Sequence, residues 1–398
     1  MNTTDKKPFV TVPLEASSFP TAFPFAERSA SQSLSYGHPG AEEYRCEIFG
    51  INHFQKEGLV REASTGRTWR LAADEGSYLR GTDLAPAPLS HWGAGIHGDV
   101  VLTIASLARA QGLELRKLSV VVQQGFASKG SLAKGEAVGL VFNLSCQVEM
   151  DIDCDRNTAS NLVKQALLAS PVMNAMITAR EGTFALYLNN QRTPHSGLLD
   201  SKNSQTDPLT IHSGTFEPTN ESVWPTIVTR RPGTGEKGFV LEDDSASSVS
   251  WYVQAEGELD MGTGLVHTTV NFPKTGANSR WSLVSDGSGK MAPSPRAYFS
   301  IGTAFCYHTQ FCRYIDFRRL SVGPTVLVQS SSFSVDDTGG SLKASASPFD
   351  THVFLNGDID VAAATPLPKV AANTCYAHRA LETAIEMSVD INLMQTTN

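Results

Sequence analysis

A cysteine and a histidine near the C-terminal end of the chain have the types and spacing that nucleophilic or redox chemistry needs. Cys375 precedes a helical segment and His378 follows it by three residues, so both side chains lie on one face of that helix. An imidazole at this distance can act on the thiol, which reacts as its thiolate. The alternative is a capping cysteine beside an exposed histidine, and the residues alone leave both interpretations open.

A second cysteine, Cys306, lies in an apolar segment with helical periodicity. A cysteine in such a segment is most often a small buried hydrophobic residue. Its helical neighbours Thr303, Thr309 and Gln310 nevertheless place polar groups one turn away. The residues alone therefore allow either a core cysteine or a reactive one.

A histidine-rich segment in the first half of the chain offers acid–base chemistry. His91, His97 and Asp99 occur close together, but residues i and i+2 of a helix point in different directions, so we predict no metal site. A carboxylate buried there would have a raised pKa and could act as a general acid or base beside His97. A polar residue that only satisfies hydrogen bonds is the alternative.

The elements that must position these residues occur twice in one order. Ser170–Met176 is followed by an apolar strand segment, and Cys375–Leu381 is followed by another, 205 residues later. Other pairs recur at offsets from 202 to 212, namely Gly58 with Gly264, Trp69 with Trp281, and Leu115–Val120 with Phe317–Val322. These offsets predict two copies of one domain, of which only the second carries cysteines at the candidate positions.

Apolar periodicity predicts the element order βββ-α-ββ-α-β in each copy, an α+β architecture with a sheet wrapped around a buried central helix. The central helices are predicted at 93–111 and 295–314, and later helices at 155–176 and 369–385. We divide the chain into an irregular arm (1–40), a first domain (41–190), a linker (191–245) and a second domain (246–398).

The composition is that of an ordinary folded protein, with 41% hydrophobic and 18% charged residues. A net charge of −8 argues against a nucleic-acid partner, because phosphate binding needs clustered lysine and arginine. Six cysteines are too few for a disulfide framework, and neither a secretory signal nor a membrane-spanning stretch is evident. We therefore predict a cytoplasmic protein with reduced thiols and no membrane partner.

Taken in order, these features resemble the OsmC/Ohr family of thiol peroxidases. The family's helix signature places a cysteine eleven residues after a Ser-Pro proline, and Cys306 stands eleven residues after Pro295. The family's second signature is matched by Cys375 and by the Ala-Leu pair that ends at Leu381. The resemblance covers about 40–190 and 245–395.

The first half of the chain resembles the same family with its cysteines replaced. Asp99 stands eleven residues after Pro88, and Ser170 precedes a proline where the family has Cys-Pro. Family members are intertwined homodimers, so the resemblance implies two tandem OsmC-like domains that form a pseudo-dimer within one chain. Further association into homo-oligomers stays open.

The resemblance implies that Cys306 attacks a hydroperoxide and that Cys375 resolves the sulfenic acid as a disulfide. It implies no cofactor other than a dithiol reductant. An apolar pocket lined by Phe299, Phe305 and Tyr307 would suit a hydrophobic organic hydroperoxide.

Two departures from the family leave a second function open. The family's activating Arg and Glu are missing: Arg296 stands near the Glu positions, and the loop 260–263 has no Arg. Arg296, His308 or His378 could supply the charge that a thiolate needs. The alternative is a non-redox hydrolase, lyase or isomerase of a small organic molecule, with Cys306 as nucleophile or Asp99 and His97 as acid and base.

Overall fold

The structure is a computed structural model, which describes residues 8–26, 40–218, 226–233, 250–273, 275, 279–337, 339 and 341–394. Two parts of the predicted linker, 219–225 and 234–245, and the first four residues of the predicted second domain, 246–249, lie outside these described residues. The described chain combines two sheets with two long central helices, so the predicted α+β class is confirmed.

The elements before the linker are β1 (Ala22–Phe25), β2 (Glu42–Asn52), β3 (Gln55–Glu62), β4 (Thr68–Ala73), α1 (Pro88–Ala110), β5 (Leu115–Lys129), β6 (Val138–Ile152), α2 (Arg156–Ala169), α3 (Pro171–Ile177) and β7 (Thr183–Leu188). Three short strands follow: β8 (Gln191–Thr193), β9 (Leu199–Asp200) and β10 (Val228–Pro232). The remaining elements are β11 (Trp251–Leu259), β12 (Leu265–Asn271), β13 (Ser279–Asp286), α4 (Pro295–Arg318), β14 (Val326–Asp337), β15 (Leu342–Ala346), β16 (Asp350–Leu355), α5 (Val361–Ala364), α6 (Leu367–Thr374), α7 (Tyr376–Glu382) and β17 (Met387–Leu393).

Both sheets are built from strands of both halves of the chain. In the first sheet, the β2–β4 meander pairs through β2 with β14, β16 follows, and β7 joins β16 in parallel. In the second sheet, the β11–β13 meander pairs through β11 with β5, β6 follows, and β17 joins β6 in parallel. Consequently α4 packs on the meander of the first half, and α1 packs on that of the second.

The central helices α1 and α4 pack closely because glycines stand where they meet. Gly95 and Gly302 each lie seven residues after the proline that begins their helix. A Cβ on Gly95 would lie 2.5 Å from the backbone nitrogen of Phe299, and one on Gly302 would collide with the backbone of Trp92. Only glycine permits this approach, which buries the middle of both helices.

Both predicted central helices are confirmed, with different ends. The first begins at Pro88, five residues before its predicted start, and the second extends past the predicted end to Arg318. Proline suits the first helical position because its missing N–H would have no partner there. The Ser294 hydroxyl caps α4 by accepting the N–H of Ala297 at 3.2 Å.

Both later helices differ from prediction, because one extended residue interrupts each of them. Ser170 separates α2 from α3, and Cys375 separates α6 from α7. Ser170 Oγ accepts the N–H of Met173 at 3.1 Å, and Cys375 Sγ accepts the N–H of His378 at 3.5 Å. These two N-cap residues are a pair in the 205-residue repeat, and they occupy matching positions in the element order.

Two other pairs of the repeat do not occupy matching elements. Gly58 lies inside β3, whereas Gly264 adopts positive φ in the turn before β12. Leu115–Val120 lie in β5, whereas Phe317–Val322 span the end of α4 and the loop before β14. Three strands, β14, β15 and β16, lie between α4 and α5, where the predicted order has two.

The N-terminal arm is not irregular throughout. Residues Ala22–Phe25 form β1, which pairs antiparallel with β4 and extends the first sheet. A strand with Phe, Pro and Ala has little periodicity over four residues, so local sequence does not reveal it. In the described ranges, no helix is both long enough and apolar enough to cross a membrane.

A buried carboxyl at the start of α4 makes stability depend on pH. Glu62 Oε1 accepts the N–H of Ser294 at 3.0 Å, and burial raises the pKa of Glu62 to about 8. Its pKa is near 4.5 when the chain unfolds, so the stability that it contributes is present below that pH and lost as pH rises to about 8.

We expect Glu62→Gln to remove this dependence, which reaches about 1.4 kcal/mol per pH unit between the two pKa values. The measurement is urea unfolding of both proteins at several pH values, with exposed Glu136→Gln as the control. A stability difference between Glu62→Gln and the parent that does not change over this range would contradict the prediction.

Candidate functional site

The structure brings the two candidate thiols together. Cys306 lies in the middle of α4 with 3% of its surface exposed, and Cys375 caps α7 with none exposed. The two side chains are neighbours, and neither is in a disulfide. Burial raises the pKa of Cys375 well above its usual value, and the adjacent Cys306 thiol raises it further. The pair is therefore placed to exchange a proton or to form a disulfide.

His378 lies against this pair and holds its ring in one orientation. Its Nδ1 is 3.3 Å from Cys375 Sγ, and its Nε2 is 3.4 Å from Nε2 of Gln329. Since the Gln329 amide donates to Nε2, Nδ1 carries the proton and donates to the sulfur. Burial lowers the pKa of His378 to about 3, so the neutral ring supplies a hydrogen bond but no positive charge.

A buried lysine that was not predicted from the sequence lies near Cys306. Lys56 is fully buried in β3, and its Nζ donates to Thr309 Oγ1 at 2.7 Å, one helical turn after Cys306. Burial lowers the pKa of Lys56, while the charge of Glu75 and the thiols of Cys312 and Cys306 act to raise it. Lys56 belongs to the first half of the chain, so only the exchange of strands between halves brings it here.

We expect Lys56→Met to slow alkylation of Cys306 about tenfold at neutral pH, because a nearby ammonium favours the thiolate. The test is iodoacetamide labelling across a pH series, followed by mass measurement of the Cys306 peptide. Exposed Lys117→Met is the matched control. An unchanged pH profile in a folded Lys56→Met protein would show that the lysine does not act on this thiol.

The other predicted sources of charge lie elsewhere. Arg296 forms ion pairs with Asp99 and Glu42, which both belong to the first half of the chain. His308 points at Thr325, with 2.8 Å between Nε2 and Oγ1, and burial lowers its pKa to about 3. Neither residue is therefore placed to supply charge to the thiol pair.

The aromatic residues predicted to line a pocket are fully buried in the core. Phe299 stacks on Trp92, and Phe305 lies 5.4 Å from the ring of His91. Tyr307 is closer to the candidate site, with its ring 5.0 Å from that of His378. These residues fill the core, and none of them lines either cleft that contains a candidate site residue.

Asp99 and Ser170 form a second polar pair at the matching place in the first half. Asp99 Oδ2 accepts the Ser170 hydroxyl at 2.5 Å and the N–H of Val172 at 3.2 Å, and Oδ1 accepts Nε of Arg296 at 3.1 Å. Burial opposes the charge on Arg296, but Asp99 and Glu42 raise its pKa above the usual value. Both oxygens of the carboxylate are therefore already engaged.

Asp99 lines a cleft of about 630 Å³. The lining also includes Arg296 and Glu42, together with aliphatic side chains such as Leu102 and Leu342. Its volume is in the range of sites for small organic molecules.

The histidines near Asp99 do not share its site. His97 Nδ1 lies 2.8 Å from Thr268 Oγ1, and His91 Nε2 lies 3.1 Å from the carbonyl oxygen of Ala72. Burial lowers the pKa of both histidines to about 4. Within the ranges that the structure describes, no three side chains of metal-ligating type are grouped to hold an ion.

Comparison with known proteins gives one structural match. No family model matches the chain, and no curated protein matches it. A crystal structure of an OsmC-like hydroperoxide resistance protein from Jannaschia sp. CCS1 is similar to 30% of this chain and 79% of its own, at 21% identity and a TM-score of 0.23. Function must therefore be inferred from the geometry of this chain's own thiols.

Proposed function

We propose that the chain is an OsmC-like thiol peroxidase whose two tandem domains form a pseudo-dimer. The shared order of elements in the two halves and the exchange of strands between them support this architecture. A cytoplasmic location, where thiols stay reduced, belongs to the same proposal.

The proximity of Cys306 to Cys375 carries the proposal. In the first step, the Cys306 thiolate attacks a peroxide oxygen, the O–O bond breaks, and the leaving oxygen takes a proton to depart as an alcohol or water. Cys306 is thereby oxidised to a sulfenic acid. In the second step, Cys375 attacks that sulfur, and a disulfide and one water form. An external dithiol then returns both cysteines to thiols and is itself oxidised.

Lys56 and His378 support different sulfurs in this sequence. The buried ammonium of Lys56 favours the thiolate of Cys306 by charge. The Nδ1–H of His378 donates to Cys375 and favours negative charge on that sulfur when it attacks.

Peptide mapping after a single oxidation tests the proposal. Reduced protein is mixed with one equivalent of peroxide and quenched with an alkylating reagent, and its peptides are weighed. A rapid disulfide between Cys306 and Cys375 is the expected result. Two alkylatable thiols after exposure to hydrogen peroxide and to cumene hydroperoxide would exclude the peroxidase.

The Asp99 cleft supports a second candidate, a non-redox hydrolase, lyase or isomerase acting on a small organic molecule. The cleft is open and large enough for such a substrate, and its lining includes a carboxylate and a guanidinium that form an ion pair. Turnover by this site should survive Cys306→Ser and be lost in Asp99→Asn. The same pair of variants therefore separates the two candidates.

A further inference from the structure

A crevice beside the thiol pair has His378 in its lining. The crevice runs between the two halves, and its walls include Phe349, Leu381, Arg180 and Glu382. Its volume is about 10 Å³, close to the space that one water molecule needs. His378 lies 3.3 Å from Cys375 Sγ, so one side chain separates the crevice from Cys375, the neighbour of Cys306.

The walls of this crevice are held in place by packing and hydrogen bonds. The ring of Phe349 packs 6.1 Å from Phe299 and 6.2 Å from Phe333. The N–H of Arg180 donates to the carbonyl oxygen of Leu381 at 2.7 Å, and its guanidinium donates to Asn174 Oδ1 at 2.7 Å. Widening the crevice would break these contacts, because packed cores do not deform continuously.

We infer that the thiol pair takes compact oxidants such as hydrogen peroxide and rejects bulky organic hydroperoxides, with Leu381 and Phe349 setting the size limit. This inference rests on the proposed peroxidase function and departs from the hydrophobic substrate that the family resemblance implies. A cumyl or fatty chain cannot occupy a crevice of this size, and a hydrophobic pocket at the thiols is filled by the protein's own aromatic residues.

The proposed reaction with hydrogen peroxide needs no other substrate group. Cys306 thiolate takes one oxygen as the O–O bond breaks, and the hydroxide that leaves becomes water on taking a proton. Condensation with the Cys375 thiol releases a second water and leaves the disulfide, so the peroxide's two-electron reduction is balanced by the oxidation of two thiols.

The test compares single-turnover rates of disulfide formation with hydrogen peroxide and with cumene hydroperoxide. Each rate is divided by the rate of the same peroxide with free cysteine, which removes intrinsic reactivity. We expect the normalised rate with hydrogen peroxide to be at least about tenfold higher. Equal normalised rates, or a faster reaction with cumene hydroperoxide, would contradict the size limit but would agree with the proposed peroxidase function. If neither peroxide produced the disulfide, the peroxidase function itself would be excluded.

A variant with a wider crevice tests whether Leu381 sets the size limit for the peroxide. Leu381→Ala should raise the rate with cumene hydroperoxide about fivefold relative to the rate with hydrogen peroxide. Leu167→Ala is the matched control, because Leu167 is 5% exposed, Leu381 is 6% exposed, and Leu167 does not line the crevice. A cumene hydroperoxide rate that responds equally to both variants would show that this crevice does not set the limit.

Discussion

Cys306→Ser is expected to lower the rate of peroxide consumption by about 1000-fold or more, because a serine hydroxyl stays protonated and cannot attack the O–O bond. Cys375→Ser should behave differently. It keeps the attacking thiol, so one turnover proceeds and stops at the sulfenic acid of Cys306. A 1,3-dicarbonyl reagent traps that acid and adds its mass to the Cys306 peptide.

Cys312→Ser is the matched control for both variants. Cys312 lies on the same helix, but it contacts Thr325 and His308 instead of the thiol pair. Burial raises its pKa to about 11, so it stays protonated at neutral pH. Peroxide consumption should therefore be unchanged. If Cys375→Ser were trapped nowhere and Cys306→Ser were trapped at Cys375, the two roles would have to be exchanged.

Gly302→Ala is expected to lower the free energy of unfolding by about 3 kcal/mol, although alanine favours helix over glycine by about 1 kcal/mol. The added methyl would collide with the backbone of Trp92, and a backbone cannot rotate away as a flexible side chain can. Gly95→Ala should have a similar effect, because its methyl would lie 2.5 Å from the backbone nitrogen of Phe299. Chemical denaturation of both variants gives the measurement.

Gly93→Ala provides the control for helix propensity. A methyl there would lie 3.2 Å from a side-chain carbon of Val253, which can move aside. Its effect on unfolding should stay within about 1 kcal/mol. If Gly302→Ala were as stable as Gly93→Ala, the close approach of α1 and α4 would not be required for folding.

The central helices and the N-cap positions could be predicted from sequence, because both depend on neighbouring residues. Apolar side chains at helical spacing and a proline at the first position mark α1 and α4. The matching places of Ser170 and Cys375 also followed from the repeat. The repeat did not show that each of these residues interrupts a helix. A side chain that caps the neighbouring backbone N–H groups replaces helical hydrogen bonds only at that point of the chain.

The site itself depended on contacts between distant parts of the chain. The residues predicted from sequence to supply positive charge near Cys306 were Arg296 and two histidines, all in the second half. Strand exchange instead places Lys56, from the first half, one turn from Cys306, and moves Arg296 to Asp99. A charged residue next to a turn is expected from sequence to be exposed to solvent. The neighbouring residues do not indicate which helix will cover its strand.

The sequence by itself determined the fold class, the two central helices and the place of each cysteine relative to the repeat. The helices come from side-chain periodicity and capping, which act over a few residues. Only the tertiary structure decided that the two thiols are neighbours, that the predicted pocket aromatics are core, and that Lys56 is buried near Cys306. Each of these depends on pairing β2 with β14 and β11 with β5, and such long-range pairings are selected by the packing of the whole chain.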